Sequence, residues 1–217
     1  MALVGIIPAA GRGERLGGDR PKALATLEGR PLLDWSLDVL ASVCDRVVAA
    51  VPPGAEVGRD RVPGGSSRSA SVRAALEAAP EATLAVVHDA ARPLVTADLV
   101  ARCIRALEPG WDGAIAAARV TDTVKRGGEE GRVLETLERS SLWAVQTPQV
   151  FAADALRRAL DVDDATLAAA TDDASLVEAA GGTVRLVEAL QENLKVTTQA
   201  DLELAAILLR SRRDAAC

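Results

Sequence analysis

The first stretch of the chain able to do chemistry is a glycine-rich, basic loop that follows an apolar segment. Val4–Ile7 has the composition of a buried strand, and Pro8, which has no N–H group, is expected to end its hydrogen-bonded ladder. The loop then combines two cations with small residues past which backbone amides can approach a polyphosphate: Ala9, Ala10, Gly11, Gly13, Arg15 and Lys22. This combination predicts a nucleoside triphosphate site, and the plain structural alternative is a strand-to-helix turn with solvated arginines.

The loop departs from both of the common phosphate-binding motifs. Lys22 follows Pro21 instead of closing a G-x-x-x-x-G-K-[ST] run, so the loop is not a P-loop. Gly11 and Gly13 lack the third spaced glycine and the ribose-binding acid of a dinucleotide motif. An NAD-binding oxidoreductase is therefore a weaker interpretation than an enzyme that binds a nucleoside triphosphate.

A carboxylate follows a second buried segment. Thr83–His88 predicts a strand of a parallel sheet, with Asp89 directly after it, and open α/β sheets bind ligands at the carboxyl ends of their strands. Because Mg²⁺ prefers one or two carboxylates together with substrate phosphates, Asp89 is predicted to be a Mg²⁺ ligand. His88, the single histidine, is predicted to be a strand residue whose side chain points away from that of Asp89.

Serines are concentrated in the segment Val62–Arg73, which opens a predicted helix after two glycines. One serine is enough to cap a helix, so the remaining serines also predict contacts to a ligand. Thr171–Asp173 is different, because capping alone explains it. Thr171 is expected to be the N-cap, and the two acids favour the first turn of the helix.

Strands and helices alternate in the hydrophobic pattern, which indicates an α/β domain. Besides the first strand, strands are predicted at residues 45–51, 83–88, 113–118, 142–146 and 183–187. Helices are predicted at residues 31–42, 96–107, 152–160, 171–180 and 198–210, with an alanine-rich helix that ends at residue 79. Residues 1–217 are expected to form one domain around a mainly parallel open sheet with helices on both faces.

A predicted hairpin at residues 120–138 interrupts this alternation. Its strands are expected at residues 120–125 and 132–137, joined by a glycine-rich turn. A two-stranded hairpin is only marginally stable alone, so it needs another surface to lie against. This surface could belong to a second subunit or to the hairpin's own domain, and the sequence favours neither.

Composition limits the class of partner. The 217 residues are 49% hydrophobic, carry a formal net charge of −6 and include three Trp and one Phe, so a nucleic-acid partner is not expected. No run approaches the length of a membrane span, and the apolar start lacks the basic segment of a signal peptide. Three cysteines without metal-ligand spacing predict reduced thiols and a cytoplasmic location.

Five motifs occur along nearly the whole chain. They are A-A-G-x-G-x-R at residues 9–15 with Pro21–Lys22, His88–Pro93, Asp122–Thr123, Thr147–Gln149 and Asn193–Thr197. Together they make the chain resemble the methylerythritol phosphate cytidylyltransferase family. The resemblance implies a Rossmann-like nucleotidyltransferase fold and a Mg²⁺-dependent homodimer with a hairpin arm. It also implies transfer of the cytidylyl group of CTP to methylerythritol 4-phosphate in the nonmevalonate isoprenoid pathway.

The resemblance implies roles for individual residues. Catalytic roles fall on Arg15 and Lys22, which would stabilise the transition state, and on Arg139 and Lys195, which would position the acceptor phosphate. Nucleotide contacts are implied for Ala9, Ala10, Gly11, Gly13, Arg15, Lys22, Gly65, Ser71, Asp89 and Ala90. Substrate contacts are implied for Arg92, Thr123, Arg139, Thr147 and Lys195. Asp89 and Glu192 would bind the metal, and Thr123 and Arg139 would reach the site of the neighbouring subunit.

Two positions depart from the family pattern. Ser66 stands where the family usually has an acidic residue after Gly-Gly, and Glu192 replaces an aspartate. The chemistry itself suits the chain, because a phosphate nucleophile is already ionised near neutral pH and needs no Ser-His or Cys-His pair. Two alternatives remain open: another sugar- or polyol-phosphate nucleotidyltransferase, such as one that uses ribitol phosphate, and a catalytically inactive nucleotide-binding sensor on the same fold.

Overall fold

The computed structural model describes residues 1–11 and 21–214. Its strands are β1 (Leu3–Pro8), β2 (Thr26–Leu27), β3 (Arg30–Pro31), β4 (Arg46–Val51), β5 (Arg61–Pro63), β6 (Leu84–Val87), β7 (Gly113–Arg119), β8 (Lys125–Gly127), β9 (Val133–Thr136), β10 (Trp143–Ala152) and β11 (Val184–Glu188). Its helices are α1 (Leu32–Ala41), α2 (Arg68–Glu77), α3 (Ala97–Ala106), α4 (Ala153–Leu160), α5 (Asp164–Ala169), α6 (Asp173–Ala179) and α7 (Gln199–Asp214). Among the helices of this described part, none combines the length and apolarity needed to cross a membrane.

The strands form one seven-stranded sheet in the order β11-β7-β10-β6-β1-β4-β5, with β2-β3 and β8-β9 as separate pairs. Within the large sheet, neighbours are parallel except where β10 pairs with β6 and β7. The chain adds β4 and β5 on one side of β1 and then crosses to β6 on the other side. The predicted mainly parallel sheet is confirmed, and the switch between β1 and β6 is where such sheets bind ligands.

Helices cover both faces of the sheet because its central strands are apolar on both sides. Ile6 and Val87 pack in one cluster with apolar residues of α2, α4 and α6. Their chain neighbours Ile7 and Val86 point to the opposite face, where Ile7 packs with α1 and Val86 with α3. This alternation follows from the two-residue period of a strand. The double cover holds the carboxyl ends of β1 and β6 side by side at one edge of the sheet.

Strand β10 is longer than the sequence pattern predicts. The predicted strand stops at residue 146, whereas β10 continues through Thr147 and Pro148 to Ala152. Its register against β7 shifts between Val145 and Gln149, so an irregularity admits the proline within the strand. Thr147 is therefore held inside the sheet and is only 4% exposed.

Several smaller elements also differ from the prediction. The pattern did not indicate β2, β3, β5 or α5. The capping prediction for Thr171 is wrong, because Asp172 is the N-cap of α6 and accepts a hydrogen bond from the amide of Ser175 at 3.0 Å. Asp173 lies at the first position of α6, as expected for an acid in the first turn, and is fully buried.

The hairpin interrupts the α/β alternation as predicted, but its first strand is β8 instead of residues 120–125. We refer to residues 120–138 as the arm. Strands β8 and β9 pair with each other, and Val133 and Leu134 on β9 are each 58% exposed. The arm thus presents apolar side chains to its surroundings.

Candidate active site

A cleft of about 830 Å³ opens at the carboxyl ends of β1, β4 and β6, next to the switch in strand order. It brings together many of the residues predicted from the sequence: Ala9, Ala10, Gly11, Lys22, Gly65, Ser71, Asp89, Ala90 and Lys195. A smaller cavity of about 370 Å³ between α2 and α4 is lined by none of the predicted site residues. The cleft is therefore the candidate active site.

The described residues on either side of positions 12–20, namely residues 9–11 and Lys22, lie on one wall of the cleft and are anchored by hydrogen bonds. The amide of Ala9 donates to the carbonyl of Ala50 at 2.7 Å, and the amide of Lys22 donates to the carbonyl of Gly11 at 3.3 Å. The second bond holds Lys22 on this wall beside the small residues. Gly13 and Arg15, which are predicted members of the same site, lie outside the described residues.

The opposite wall contains Gly64 and Gly65, whose path requires glycine. A Cβ at Gly64 would collide with the Cβ of Ala10, so the two walls meet at this point. The hydroxyl of Ser71 accepts from the amide of Gly65 at 3.0 Å and donates to the carbonyl of Ser67 at 2.9 Å. Ser71 lines the cleft as predicted, but these bonds are internal, so its hydroxyl shapes the wall that a nucleotide meets.

Four charged side chains form the electrostatic centre of the cleft, which we call the charge centre: Arg68, Asp89, Asp173 and Lys195. Oδ1 of Asp89 lies 2.9 Å from Nε of Arg68, and Oδ2 lies 2.7 Å from Nζ of Lys195. Nη1 of Arg68 continues to Oδ2 of Asp173 at 2.6 Å. Burial opposes the charge of Asp89, but Arg68 and Lys195 outweigh it and hold the pKa of this carboxyl well below its usual range. Asp89 is therefore an anion at neutral pH.

A chain of hydrogen bonds behind Asp89 joins β6 to β10. The amide of Asp89 donates to Oγ1 of Thr147 at 3.1 Å, and this oxygen lies 2.9 Å from Nδ1 of His88. Nε2 of His88 lies 3.2 Å from the carbonyl of Arg92. Since a carbonyl only accepts, we assign the proton to Nε2, and Nδ1 then accepts from the Thr147 hydroxyl. Burial lowers the pKa of His88 to about 4, which agrees with this neutral form.

These hydrogen bonds change the interpretation of Thr147. The residue is predicted to contact substrate, but its buried hydroxyl serves as the link between His88 and the backbone of Asp89. His88 is fully buried and does not line the cleft. Thr147 and His88 therefore orient Asp89 from the side that faces away from the cleft.

Arg92, a second predicted substrate ligand, supports the loop that carries Lys195. Its Nη1 donates to the carbonyl of Asn193 at 2.7 Å. The side-chain amide of Asn193 donates in turn to Oε1 of Gln146 at 2.8 Å and to the carbonyl of Thr147 at 2.9 Å. These bonds fix the loop to β10, and Arg92 does not line the cleft.

Three more predicted residues lie away from the cleft of their own chain. Arg139 is exposed and donates from Nη1 to the carbonyl of Thr121 at 2.7 Å, and Thr123 is exposed on the arm. The carboxylate of Glu192 lies 3.6 Å from Nη2 of Arg212. None of the three lines the cleft.

One carboxylate in the cleft can serve a metal. Asp89 is the only acidic residue among the described residues that line the cleft, and the described part of the chain holds no group of three or more potential metal-ligating His, Cys, Asp or Glu side chains. Mg²⁺ suits such a site, because it takes oxygen ligands and draws most of them from phosphates and water. Asp89 thus fits as a single protein ligand, whereas Glu192 is not placed beside it.

Two members of the charge centre, Arg68 and Asp173, are not predicted as site residues from the sequence. Arg68 is the first residue of α2, where the helix dipole disfavours a cation, and this unfavourable position is the signal that it has a partner. Asp173 gives no such signal, because an acid is favourable at the start of a helix and its burial depends on tertiary packing.

Comparison with known proteins assigns a family to this fold and cleft. A family model described as IspD, 2-C-methyl-D-erythritol 4-phosphate cytidylyltransferase, matches residues 3–211. The chain belongs to this family. Membership confirms the resemblance noted from the motifs and the predicted enzyme class, a nucleotidyltransferase. It also confirms the predicted activity, CTP-dependent cytidylylation of methylerythritol 4-phosphate in isoprenoid biosynthesis.

Individual relatives match over nearly their full length. The 2-C-methyl-D-erythritol 4-phosphate cytidylyltransferase of Rhodococcus jostii is 44% identical, with 95% of each chain covered. That of Nocardia farcinica is 43% identical, over 97% of this chain and 95% of the relative. Among solved structures, the enzyme of Thermus thermophilus superposes with a TM-score of 0.81 at 36% identity, over 97% of this chain and all of that one.

Proposed function

We propose that the cleft is the place where CTP and methylerythritol 4-phosphate are joined, with release of pyrophosphate. The observation that carries this proposal is the meeting of Lys22, Lys195 and Asp89 on a wall of small residues. Two polyanions need both features, because small residues allow close approach of backbone amides and the cations offset the accumulated negative charge.

The reaction forms one bond and breaks another. A phosphate oxygen of the acceptor bonds to the α-phosphorus of CTP, and pyrophosphate leaves with the electron pair of the bond to the bridging oxygen. The acceptor phosphate is already ionised near neutral pH, so no general base is required, and His88 is buried away from the cleft. Catalysis then requires only that the two substrates are positioned and that their negative charge is neutralised. We assign these roles to Lys22 for the nucleotide and to Lys195 for the acceptor.

Mg²⁺ is part of the proposal, with Asp89 as its protein ligand. When bound, the ion would offset the charge of the triphosphate. The support from this chain is the ionised carboxylate of Asp89 on the cleft wall. We expect Asp89→Asn to weaken both activity and its Mg²⁺ dependence, whereas Glu192→Gln should leave the Mg²⁺ titration unchanged. A normal titration in a folded Asp89→Asn protein would make Asp89 a structural residue.

We propose a homodimer whose arms lend residues to the partner's site. The exposed Val133 and Leu134 support this, since a two-stranded hairpin needs a surface to cover its apolar side chains. Arg139 and Thr123 are exposed and do not line their own cleft, which leaves them available to a second copy. Each complete site would then combine Lys22 of one chain with Arg139 of the other.

Mixing two inactive variants tests the shared site. Lys22→Ala removes a residue that each chain supplies to its own site, and Arg139→Ala removes a residue that each chain supplies to the partner's site. In a heterodimer one site receives both defects and the other receives neither, so random exchange at equal amounts should restore roughly a quarter of the wild-type activity per chain. Heterodimers confirmed by mass spectrometry without any gain in activity would assign Arg139 to its own subunit.

We also place the protein in the cytoplasm. Cys44 and Cys103 are free thiols, as expected of a chain kept in a reducing compartment. Cell fractionation followed by immunodetection tests this location, and recovery outside the cytoplasmic fraction would contradict it.

A panel of nucleotides and acceptors tests the reaction itself. Pyrophosphate release is measured with CTP, UTP or ATP, each combined with methylerythritol 4-phosphate or ribitol phosphate. We expect release with CTP and methylerythritol 4-phosphate. Preference for another acceptor would favour a different polyol-phosphate nucleotidyltransferase, and binding of CTP without any release would favour the inactive sensor.

A further inference from the structure

The charge centre extends behind the cleft wall to a carboxylate that the mechanism does not use. Asp173 is fully buried, and its Oδ2 accepts from Nη1 of Arg68 at 2.6 Å. Within the described part of the chain its Oδ1 has no hydrogen-bond partner, so the pair with Arg68 is its main interaction. Arg68 itself lies on the cleft wall, with 27% of its side chain exposed.

The two contacts of Arg68 fix the plane of its guanidinium. Nη1 is held by Asp173 and Nε by Asp89, and the guanidinium is a rigid planar fork. Burial opposes the charge of Arg68, but Asp173 and Asp89 together raise its pKa. Burial raises the pKa of Asp173 while Arg68 opposes that rise, so the carboxylate depends on its partner.

Charge balance shows why the second carboxylate matters. The centre contains two cations, Arg68 and Lys195, and two carboxylates, Asp89 and Asp173. Without Asp173, a cation on the cleft wall would lose one of its two anchors. Arg68 would then be free to turn from Asp89 toward the phosphates of a bound nucleotide, since a triphosphate is the strongest nearby anion.

We infer that Asp173 is a positioning residue of the active site, which holds Arg68 against Asp89 and so keeps Oδ2 of Asp89 directed at Lys195. The inference rests on the proposed function of the cleft. Asp173 touches no substrate and acts only through Arg68. A purely structural ion pair between α6 and α2 would make a different prediction, because its loss would lower stability and leave turnover in the folded protein unchanged.

The primary test is the Asp173→Asn variant, which keeps the shape of the side chain and removes its charge. We expect kcat for pyrophosphate release to fall about tenfold, with KM for CTP nearly unchanged, because a misplaced catalytic group affects the transition state most. Asp173→Glu should retain kcat within about threefold, since it keeps the carboxylate. Asp172→Asn is the matched control, because Asp172 caps the same helix and contacts Gln149 but not Arg68.

A double-variant comparison separates action through Arg68 from an independent effect. If Asp173 acts only through Arg68, Arg68→Gln and the double variant Arg68→Gln/Asp173→Asn should have equal kcat. This comparison remains available if Asp173→Asn alone fails to fold. The double variant carries no unpaired charge in the pair, and in Arg68→Gln burial raises the pKa of Asp173 and so favours its neutral form.

The outcomes are distinct. Normal kcat in Asp173→Asn or Arg68→Gln, or a further loss in the double variant relative to Arg68→Gln, would overturn the inference. Loss of kcat in Asp172→Asn to the same extent would also overturn it, because the effect would then belong to helix α6 as a whole. Absence of pyrophosphate release by the wild-type protein would instead contradict the proposed function.

Discussion

The single histidine provides a measurable link between pH and stability. His88 is fully buried, and burial lowers its pKa from 6.5 to about 4 in the folded protein. Between these values the unfolded chain binds a proton at His88 that the folded chain does not bind. Stability therefore rises with pH through this range and levels off above pH 6.5, so acidification should destabilise the protein.

The size of this effect follows from the two pKa values. One pKa unit corresponds to about 1.4 kcal/mol, so the full difference is worth about 3 kcal/mol when the unfolded chain is completely protonated at His88. Between pH 7.5 and pH 5.0 only part of this range is crossed, and we expect a loss of about 2 kcal/mol in the free energy of unfolding. The window lies above the ordinary pKa of carboxyl groups, which limits their contribution.

Two measurements test this prediction. Urea unfolding at pH 7.5 and pH 5.0 gives the loss of stability for the wild type and for His88→Asn, which keeps an acceptor near the position of Nδ1 but cannot titrate. The variant should lose about 2 kcal/mol less than the wild type over the same interval. NMR of the imidazole carbon-bound protons reports His88 alone, because the chain has one histidine. Titration of the folded protein near pH 6.5, or equal losses in the two proteins, would refute the reasoning.

Three further outcomes are expected. Lys22→Ala should lower kcat by at least roughly 10²-fold with circular dichroism unchanged, as for loss of one preorganised transition-state donor, and near-normal turnover in the folded variant would contradict its assignment. Gly64→Ala should lower the free energy of unfolding by about 1–3 kcal/mol and weaken CTP binding, because the added Cβ would collide with Ala10. Gly58→Ala is the control, because a Cβ at that position would meet no atom within 4 Å. Burial raises the pKa of the Cys103 thiol to about 12, and burial together with Asp45 does the same for Cys44. Mass spectrometry should therefore find both thiols unalkylated by iodoacetamide in the folded protein at pH 7.5. Labelling at the rate of the unfolded chain would contradict this.

The parts of the site that the sequence predicts well are those carried by strand ends. Asp89 and the first loop follow long apolar runs, and such runs place their final residues at a known edge of a parallel sheet. Lys195 follows no such rule, and only the family resemblance assigned it to the site. The 2.7 Å contact between them depends on how the loop after β11 folds against β10.

The missed features depend on contacts between segments that are distant in the chain. Pro148 argues against a strand interior, so the pattern ends the strand at residue 146, and only the family resemblance implies a substrate contact for Thr147. The register irregularity that admits the proline instead buries Thr147 beside His88. Arg68 and Asp173 lie 105 residues apart, and the position of each at the start of its own helix does not identify the other as its partner.

Strand β10 also limits how members of this family can diverge. It begins just after the arm, and its middle carries the Thr147 hydroxyl to the backbone of Asp89. A change of one residue in its pairing register would turn Thr147 to the other face of the sheet. We therefore expect an insertion or deletion to disturb the site when it falls between Trp143 and Gln149, and to disturb it less in the turn of the arm, where residues 128–132 are mostly exposed. A change in the turn of the arm would thus leave the cleft of the same chain intact, although β10 follows directly after the arm.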